Sequence, residues 1–242
     1  MNRFIIRGGN GYNCITYIYV MQDIYGCKFG ITNSLERRQF QYSETRPTLV
    51  LKHFKELEIE VSAEMFATFT GNSTKNVFEK IKNHFGIEDD IKSLVQKKRS
   101  LFNDAFDTKE DLFLLEGVEE LIKQLHQNGI QLILASSSSK VTINRVFNRF
   151  KLHTYFSHIV SGEDFPQSKP NPAIFLEAVR LSKSNKENCI VIEDSTNGIK
   201  ASHAAGIFCV GYRSVNSKKQ DYSLANLVID RFEELDFNTI LK

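Results

Sequence analysis

Tryptophan is absent from this chain of 242 residues, and cysteine and proline are scarce, at four residues each. The thiols are Cys14, Cys27, Cys189 and Cys209, with no Cys-x-x-Cys pair among them, and the last two sit inside apolar runs. They read as small buried thiols rather than metal ligands or disulfide partners. With only four prolines and thirteen glycines, a long disordered linker or a low-complexity chain is excluded. Charge of one sign is lacking too: 31 Lys and Arg against 29 Asp and Glu leave a formal +2. That balance gives no global basic field for gripping nucleic acid and no acidic tail. A run of about 18 apolar residues, the minimum for a membrane span, occurs nowhere, and the opening MNRFIIRGGNGYN is broken by glycine and asparagine before it resembles a secretory leader. A reduced, cytoplasmic, monomeric protein with no membrane partner is therefore expected.

What is present suffices for a core. At 41% apolar and 25% charged, the composition is that of an ordinary globular protein, and the length suits one large domain or one domain with an appendage. Gln131–Ala135, Cys189–Ile192 and Phe208–Gly211 are short, continuously apolar runs of the kind buried on both faces of a parallel sheet. Between and beside them lie helical patterns at Val118–Gln127, Thr142–Phe150, Ala173–Ser182 and Gly198–Ala205, with Gly129 and Gly206 placed to end two of them. Alternation of this kind predicts an α/β fold with a doubly wound parallel sheet.

Residues 53–112 differ, carrying helical patterns at Ala63–Phe69, Thr74–Phe85 and Ile91–Phe106 without a buried strand. Ser73 is placed to cap the second of these and Gly86 to end it. This block reads as a helical lid between an N-terminal segment, 1–52, and the α/β core, 113–242. Within the first segment, Ile15–Met21 and Cys27–Ile31 are expected to pair as an antiparallel hairpin, unless one of them slots into the sheet as the missing first strand, Cys27–Ile31 by spacing or Ile15–Met21 by hydrophobicity. A short charged helix follows at Leu35–Tyr42.

Three constellations carry chemistry. The strand Gln131–Ala135 runs into Ser136-Ser137-Ser138-Ser139-Lys140, where hydroxyls and free N–H groups open a helix and make an anion site, or merely cap that helix. Lys169 precedes a Pro-x-Pro helix start, so its ammonium either neutralises phosphate charge or is ordinary solvated surface. Glu193 and Asp194 end a buried strand, where paired carboxylates suit Mg²⁺, the alternative being a loop capped by Ser195 or Asn197.

In this order the segments LASSSSK, SKPNPAIF and IVIEDSTNGIKASHAAG resemble motifs II, III and IV of the haloacid dehalogenase superfamily, in the wording of its β-phosphoglucomutase-like phosphatases and mutases. The resemblance covers about residues 54–223. It implies a Rossmannoid core with a helical cap and Mg²⁺-dependent phosphoryl transfer on a small phosphorylated metabolite such as a sugar phosphate. By that resemblance Ser136 and Lys169 hold the transferring group, Ser137 and Asn197 assist, Glu193 and Asp194 hold the metal, and the cap segment with Thr70, Gly71 and Ser73 meets the substrate. The family opens with a strand ending in Asp-x-Asp-Gly, whose first carboxylate is the nucleophile. This chain has no such pair: Asp23 is the only Asp before residue 89. Counting back from Phe54 places the missing motif near residues 30–36.

Residues 15–52 resemble a second family. Tyr17-Ile18-Tyr19, Lys28-Phe29-Gly30-Ile31-Thr32 and Leu35-Glu36-Arg37-Arg38 are similar to the opening of GIY-YIG nucleases, with Tyr19, Gly30 and Arg38 on that family's positions and Lys28, Arg37, Arg38 and Arg46 as a local basic cluster. Residues 1–52 then read as a GIY-YIG-like opening joined to a haloacid dehalogenase-like protein that lacks its first strand. A phosphometabolite-binding protein without turnover is the alternative from another class.

Overall fold

The computed structural model describes residues 16–19 and 28–29 as backbone, then residues 54, 56–108, 112–214 and 219–235. In chain order the regular elements are β1 (Thr16–Tyr19), β2 (Lys28–Phe29), α1 (Ala63–Ala67), α2 (Thr74–Phe85), α3 (Ile91–Thr108), β3 (Leu112–Phe113), α4 (Val118–Gln127), β4 (Gln131–Ser136), α5 (Lys140–Phe150), β5 (Phe156–Ser161), α6 (Ala173–Ser182), β6 (Cys189–Glu193), α7 (Thr196–Ala205), β7 (Phe208–Tyr212) and β8 (Leu227–Ile229).

Six of the strands form one parallel sheet in the order β5-β4-β1-β6-β7-β8. The apolar runs alternate between two cores, as a pleat of period two requires. Leu132 and Leu134 of β4 pack with Val118, Leu121, Ile122 and Leu125 of α4 and with Ile143, Val146 and Phe147 of α5. Ile133 and Ala135 join Ile174, Phe175 and Ala178 of α6 and Ile199, Ala201 and Ala205 of α7 on the opposite face. Each fully buried aliphatic or aromatic side chain contributes about 1.5–3 kcal/mol, so both faces are anchored. The protein is an α/β fold with helices on both sides of a parallel sheet.

Helix ends follow their capping residues. Ser139 accepts the Thr142 N–H and Ser195 accepts the Gly198 N–H, so α5 and α7 begin two residues before the expected Thr142 and Gly198. Ser73 starts α2, and Gly86, Gly129 and Gly206 take the left-handed conformation anticipated for them. α1 stops at Ala67, short of the expected Phe69, and gives way to a turn. Strands β5 and β8 escape the sequence because β5 interleaves Ser157 and His158 with its apolar residues and β8 is only three residues long.

The expected hairpin is overturned. β1 lies between β4 and β6, parallel to both, while β2 pairs antiparallel with β3. A gap there would leave unpaired N–H and C=O groups on two central strands, and recruiting β1 satisfies them. The chain therefore fills that slot with a strand. The described part of the central strand runs to Tyr19, level with Ile192 and one residue short of Glu193. The missing motif is expected near residues 30–36. Those residues, with Gly30, Arg37, Arg38, Arg46, Leu35–Tyr42, Cys14 and Cys27, lie outside the described ones.

Helices α2 and α3 close a separate small core of Phe54, Phe69, Phe78, Ile81, Leu94 and Val95. Among the described residues no helix is long and apolar enough to cross a membrane.

Candidate active site

The carboxyl ends of β4 and β6 and the turn before α6 bring Ser136, Lys169, Glu193 and Asp194 together, although they come from three separate stretches of sequence. Lys169 is 1% exposed. Its Nζ donates to the Ala135 carbonyl at 3.3 Å and to Glu193 Oε1 at 3.4 Å, and lies 4.7 Å from the centroid of the Phe175 ring. Pro172 caps α6 three residues on, as the Pro-x-Pro pattern implied. Glu193 is equally buried and has both oxygens engaged. Oε1 also accepts from Ser195 Oγ at 2.9 Å, and Oε2 accepts from the Asp194 N–H at 3.0 Å. Burial pushes the Lys169 ammonium below its ordinary range and the Glu193 carboxyl above its own, while their mutual attraction pulls both back toward the charged forms.

Removing one partner of such a pair strands the other. Lys169→Met is expected to destabilise the fold by about 3–5 kcal/mol at neutral pH. The loss should depend on pH in one direction. With the ammonium gone, the Glu193 carboxyl, already above the ordinary 4.5 because of burial, loses the attraction that opposed burial most and keeps its bonds from Ser195 and the Asp194 N–H. A raised folded value contributes stability that is complete below the unfolded pKa and lost as pH rises through the folded one. The variant's deficit should therefore widen upward from about pH 4.5 in urea-denaturation midpoints. A deficit independent of pH would show that Glu193 does not carry the stranded charge.

Asp194 is turned differently. Its Oδ1 is buried and accepts no hydrogen bond among the described residues, while its backbone carbonyl accepts from Tyr222 Oη at 3.2 Å. Burial and the neighbouring Asp194 charge push the Tyr222 hydroxyl up to about 12, so it remains a donor. Burial also pushes the Cys209 thiol up to about 12, in keeping with an inert buried cysteine. A hard carboxylate oxygen held in a buried edge fits a divalent cation. Glu193, with its oxygens already occupied, stands behind Asp194, and the described residues hold no group of three or more His, Cys, Asp or Glu that could ligate a metal.

The serine run splits into separate tasks. Ser136 is wholly buried and its Oγ accepts the Ser138 N–H at 3.1 Å, whereas Ser137 Oγ donates to the Gly71 carbonyl at 3.0 Å. Asn197 Nδ2 donates to the carbonyls of Thr70 and Thr68. Thr70 and Gly71 thus meet Ser137 and Asn197 directly, and the turn after α1 sits on the carboxyl edge of the sheet. Gly71 has φ +96°, and a Cβ there would come within 2.5 Å of the Asn197 Cβ. Ser73 stands apart, its hydroxyl used in capping α2.

Some residues of the site gave little signal in the sequence. Ser168 Oγ accepts from Asn76 Nδ2 at 2.7 Å and donates to Asn72 Oδ1 at 3.3 Å, and Lys80 Nζ donates to the same Asn72 oxygen at 3.4 Å, a polar cluster between α2 and the turn that carries Lys169. Glu163 joins the Arg99 guanidinium of α3 to the Lys140 N–H that opens α5. Gly198 lies against Glu193, and only the glycine in Glu-Asp-Ser-Thr-Asn-Gly hinted at so close an approach.

With this geometry in view, known proteins supply the context. A phosphoglycolate phosphatase of Pseudomonas putida is 26% identical over 156 residues, which cover 63% of this chain and 56% of that protein. A bifunctional riboflavin kinase/FMN phosphatase of Arabidopsis thaliana is 35% identical over 117 residues, covering 48% and 31%. The chain thus spans from about a third to somewhat over half the length of these two relatives. The crystal structure of a β-phosphoglucomutase from Clostridium difficile superposes with a TM-score of 0.72 at 25% identity, over 94% of this chain and 95% of that one. A variant of CbbY from Rhodobacter sphaeroides, solved with xylulose-1,5-bisphosphate, shares the fold with a TM-score of 0.73 at 19% identity, over 93% and 98%. Residues 44–212 match the haloacid dehalogenase-like hydrolases, and the chain belongs to that family.

Proposed function

We propose that this cleft holds the phosphoryl group of a small phosphorylated metabolite, a sugar phosphate in particular, as the binding half of a Mg²⁺-dependent phosphatase or phosphomutase site. The observation that carries this reading is the buried Lys169 ammonium beneath the serine turn at the carboxyl edge of the sheet. An ammonium fixed there by Ala135 and Glu193 offers its charge to a phosphoryl oxygen without the reorganisation a flexible surface lysine needs. Ser136 lines the same edge, and Asp194, with Glu193 behind it, would hold Mg²⁺. Bound there, the ion would neutralise phosphoryl charge. Near the turn that carries Lys169, Asn72, Asn76 and Ser168 offer amides and a hydroxyl of the kind that hydrogen-bond sugar hydroxyls. The relatives' names, phosphoglycolate phosphatase and β-phosphoglucomutase, support the reaction class.

A second reading is favoured by one feature: the sequence has no Asp-x-Asp pair. The chain would then bind a phosphometabolite without turning it over. Both readings require phosphate binding, and they part at turnover. Orthophosphate, titrated calorimetrically with and without Mg²⁺, should bind the unmodified chain. Lys169→Met should weaken that binding about tenfold or more, the scale of a lost charge-assisted hydrogen bond. Equal affinity in parent and variant would refute both readings. Slow but Mg²⁺-dependent release of phosphate from a sugar phosphate would favour the first.

A further inference from the structure

Residues 219–222, between β7 and β8, make four contacts in succession that neither reading of the cleft uses. Lys219, with φ 59°, ion-pairs with Glu64 of α1. Gln220 Oε1 accepts the Thr196 N–H at 2.8 Å, one of the donors that the first turn of α7 leaves unsatisfied, and the Asp221 N–H donates to Thr196 Oγ1 at 2.8 Å. Tyr222 Oη then reaches the Asp194 carbonyl at 3.2 Å. Its ring packs on Gly211, where a Cβ would meet ring Cδ1 at 2.9 Å.

These contacts differ in weight. The Lys219–Glu64 pair is exposed, with side chains 55% and 70% accessible, and an exposed pair contributes little. The Gln220 and Tyr222 contacts are part-buried, the Asp221 contact is exposed, and all three grip the two residues on either side of Ser195, which itself holds Glu193. They therefore act on the peptides that aim the Asp194 carboxylate.

We propose that Gln220 and Tyr222 are positioning residues that set Asp194 for a divalent cation, an inference that rests on the phosphoryl-transfer reading of the cleft. Neither touches the cation or the substrate. Each works through the backbone of Asp194 or the first turn of α7, as groups behind a metal ligand do.

Tyr222→Phe removes the hydroxyl and keeps the ring on Gly211. In calorimetric titration of the full chain with Mg²⁺ alone, the variant should bind about fivefold more weakly, the factor set by one hydrogen bond of about 1 kcal/mol. Gln220→Leu should act in the same direction. Orthophosphate affinity without metal should match the parent's, and the metal-free melting temperature should fall by no more than about 2–4 °C, the shift that one such hydrogen bond accounts for. Unchanged Mg²⁺ affinity in both variants overturns the positioning role and leaves the cleft reading intact. A parallel fall in metal-free melting temperature and phosphate affinity overturns it in favour of simple structural support. If the unmodified chain binds orthophosphate but no Mg²⁺, the metal reading fails and takes the positioning role with it.

Discussion

Met21→Asp is expected to raise Mg²⁺-dependent release of phosphate from a sugar phosphate by at least about a thousandfold over the unmodified chain, since removing a covalent nucleophile costs that much or more in enzymes that use one. Two observations choose the position. The described part of the central strand runs to Tyr19, one residue short of the level of Glu193, the last residue of β6. The residues that follow are Val20-Met21-Gln22-Asp23, and Asp23 is the only Asp before residue 89. One change at Met21 writes the Asp-x-Asp spacing with a carboxylate already in place as its second member. Lys169→Met in the same chain should abolish the gained turnover, because the charge facing the phosphoryl group would be gone. No gain from Met21→Asp would mean that the groups at Ser136, Lys169 and Asp194 no longer form a competent set. Robust turnover by the unmodified chain, lost in Asp23→Asn, would identify Asp23 itself as the nucleophile and remove the reason for the substitution.

Gly198→Ala is the smallest possible change near the cleft and should be among the most damaging. A Cβ at position 198 would lie 1.3 Å from Glu193 Oε1 and 2.0 Å from its carboxyl carbon. No rotation of a flexible tip relieves this, because both Glu193 oxygens are held, by Lys169 and Ser195 on one side and the Asp194 N–H on the other. Either α7 moves off the sheet, taking Ile199 and Ala201 out of the core, or Glu193 swings away and leaves Lys169 buried and unpaired. Overpacking costs about 1–3 kcal/mol and a broken buried pair about 3–5, so a loss of about 1–5 kcal/mol is expected, largest if the pair breaks. The upper end is a large share of the stability of a typical domain. Thermal unfolding gives the first readout and orthophosphate titration of whatever remains folded gives the second. A variant that melts within a few degrees of the parent and still binds phosphate would show that the Glu193–Gly198 contact is soft.

Where the sequence is strongly periodic, it could be read. The continuous apolar runs of β4, β6 and β7 found their places because a strand buried on both faces needs no polar alternation, and Ser73, Gly86 and Gly206 marked helix ends by their own chemistry. Lys169, Glu193 and Asp194 were legible because each flanks such a strand or a proline-started helix. The fate of β1 was not, since period-two apolarity suits a hairpin and a central strand alike and only the empty slot between β4 and β6 decides between them. Counting residues back from Phe54 assumes a fixed length between the first strand and the helical block, which local pattern does not constrain, and the stretch it reaches, 30–36, lies outside the described residues. The roles of Gln220 and Tyr222 were invisible because a hydroxyl that grips a backbone carbonyl leaves no trace in spacing.

The turn after α1 is held on the sheet edge by its main chain: Ser137 and Asn197 bond the carbonyls of Thr68, Thr70 and Gly71, not their side chains. Docking and recognition are thereby uncoupled. Positions 68 and 70 can vary in side-chain chemistry while the turn stays seated, at the cost, at 68, of the Thr68 hydroxyl's local bond to the Met65 carbonyl. Gly71 alone is locked, by its positive φ and by the Asn197 Cβ beside it. The architecture thus divides its own mutational freedom, leaving it wide at two neighbouring positions and nearly nil at the third.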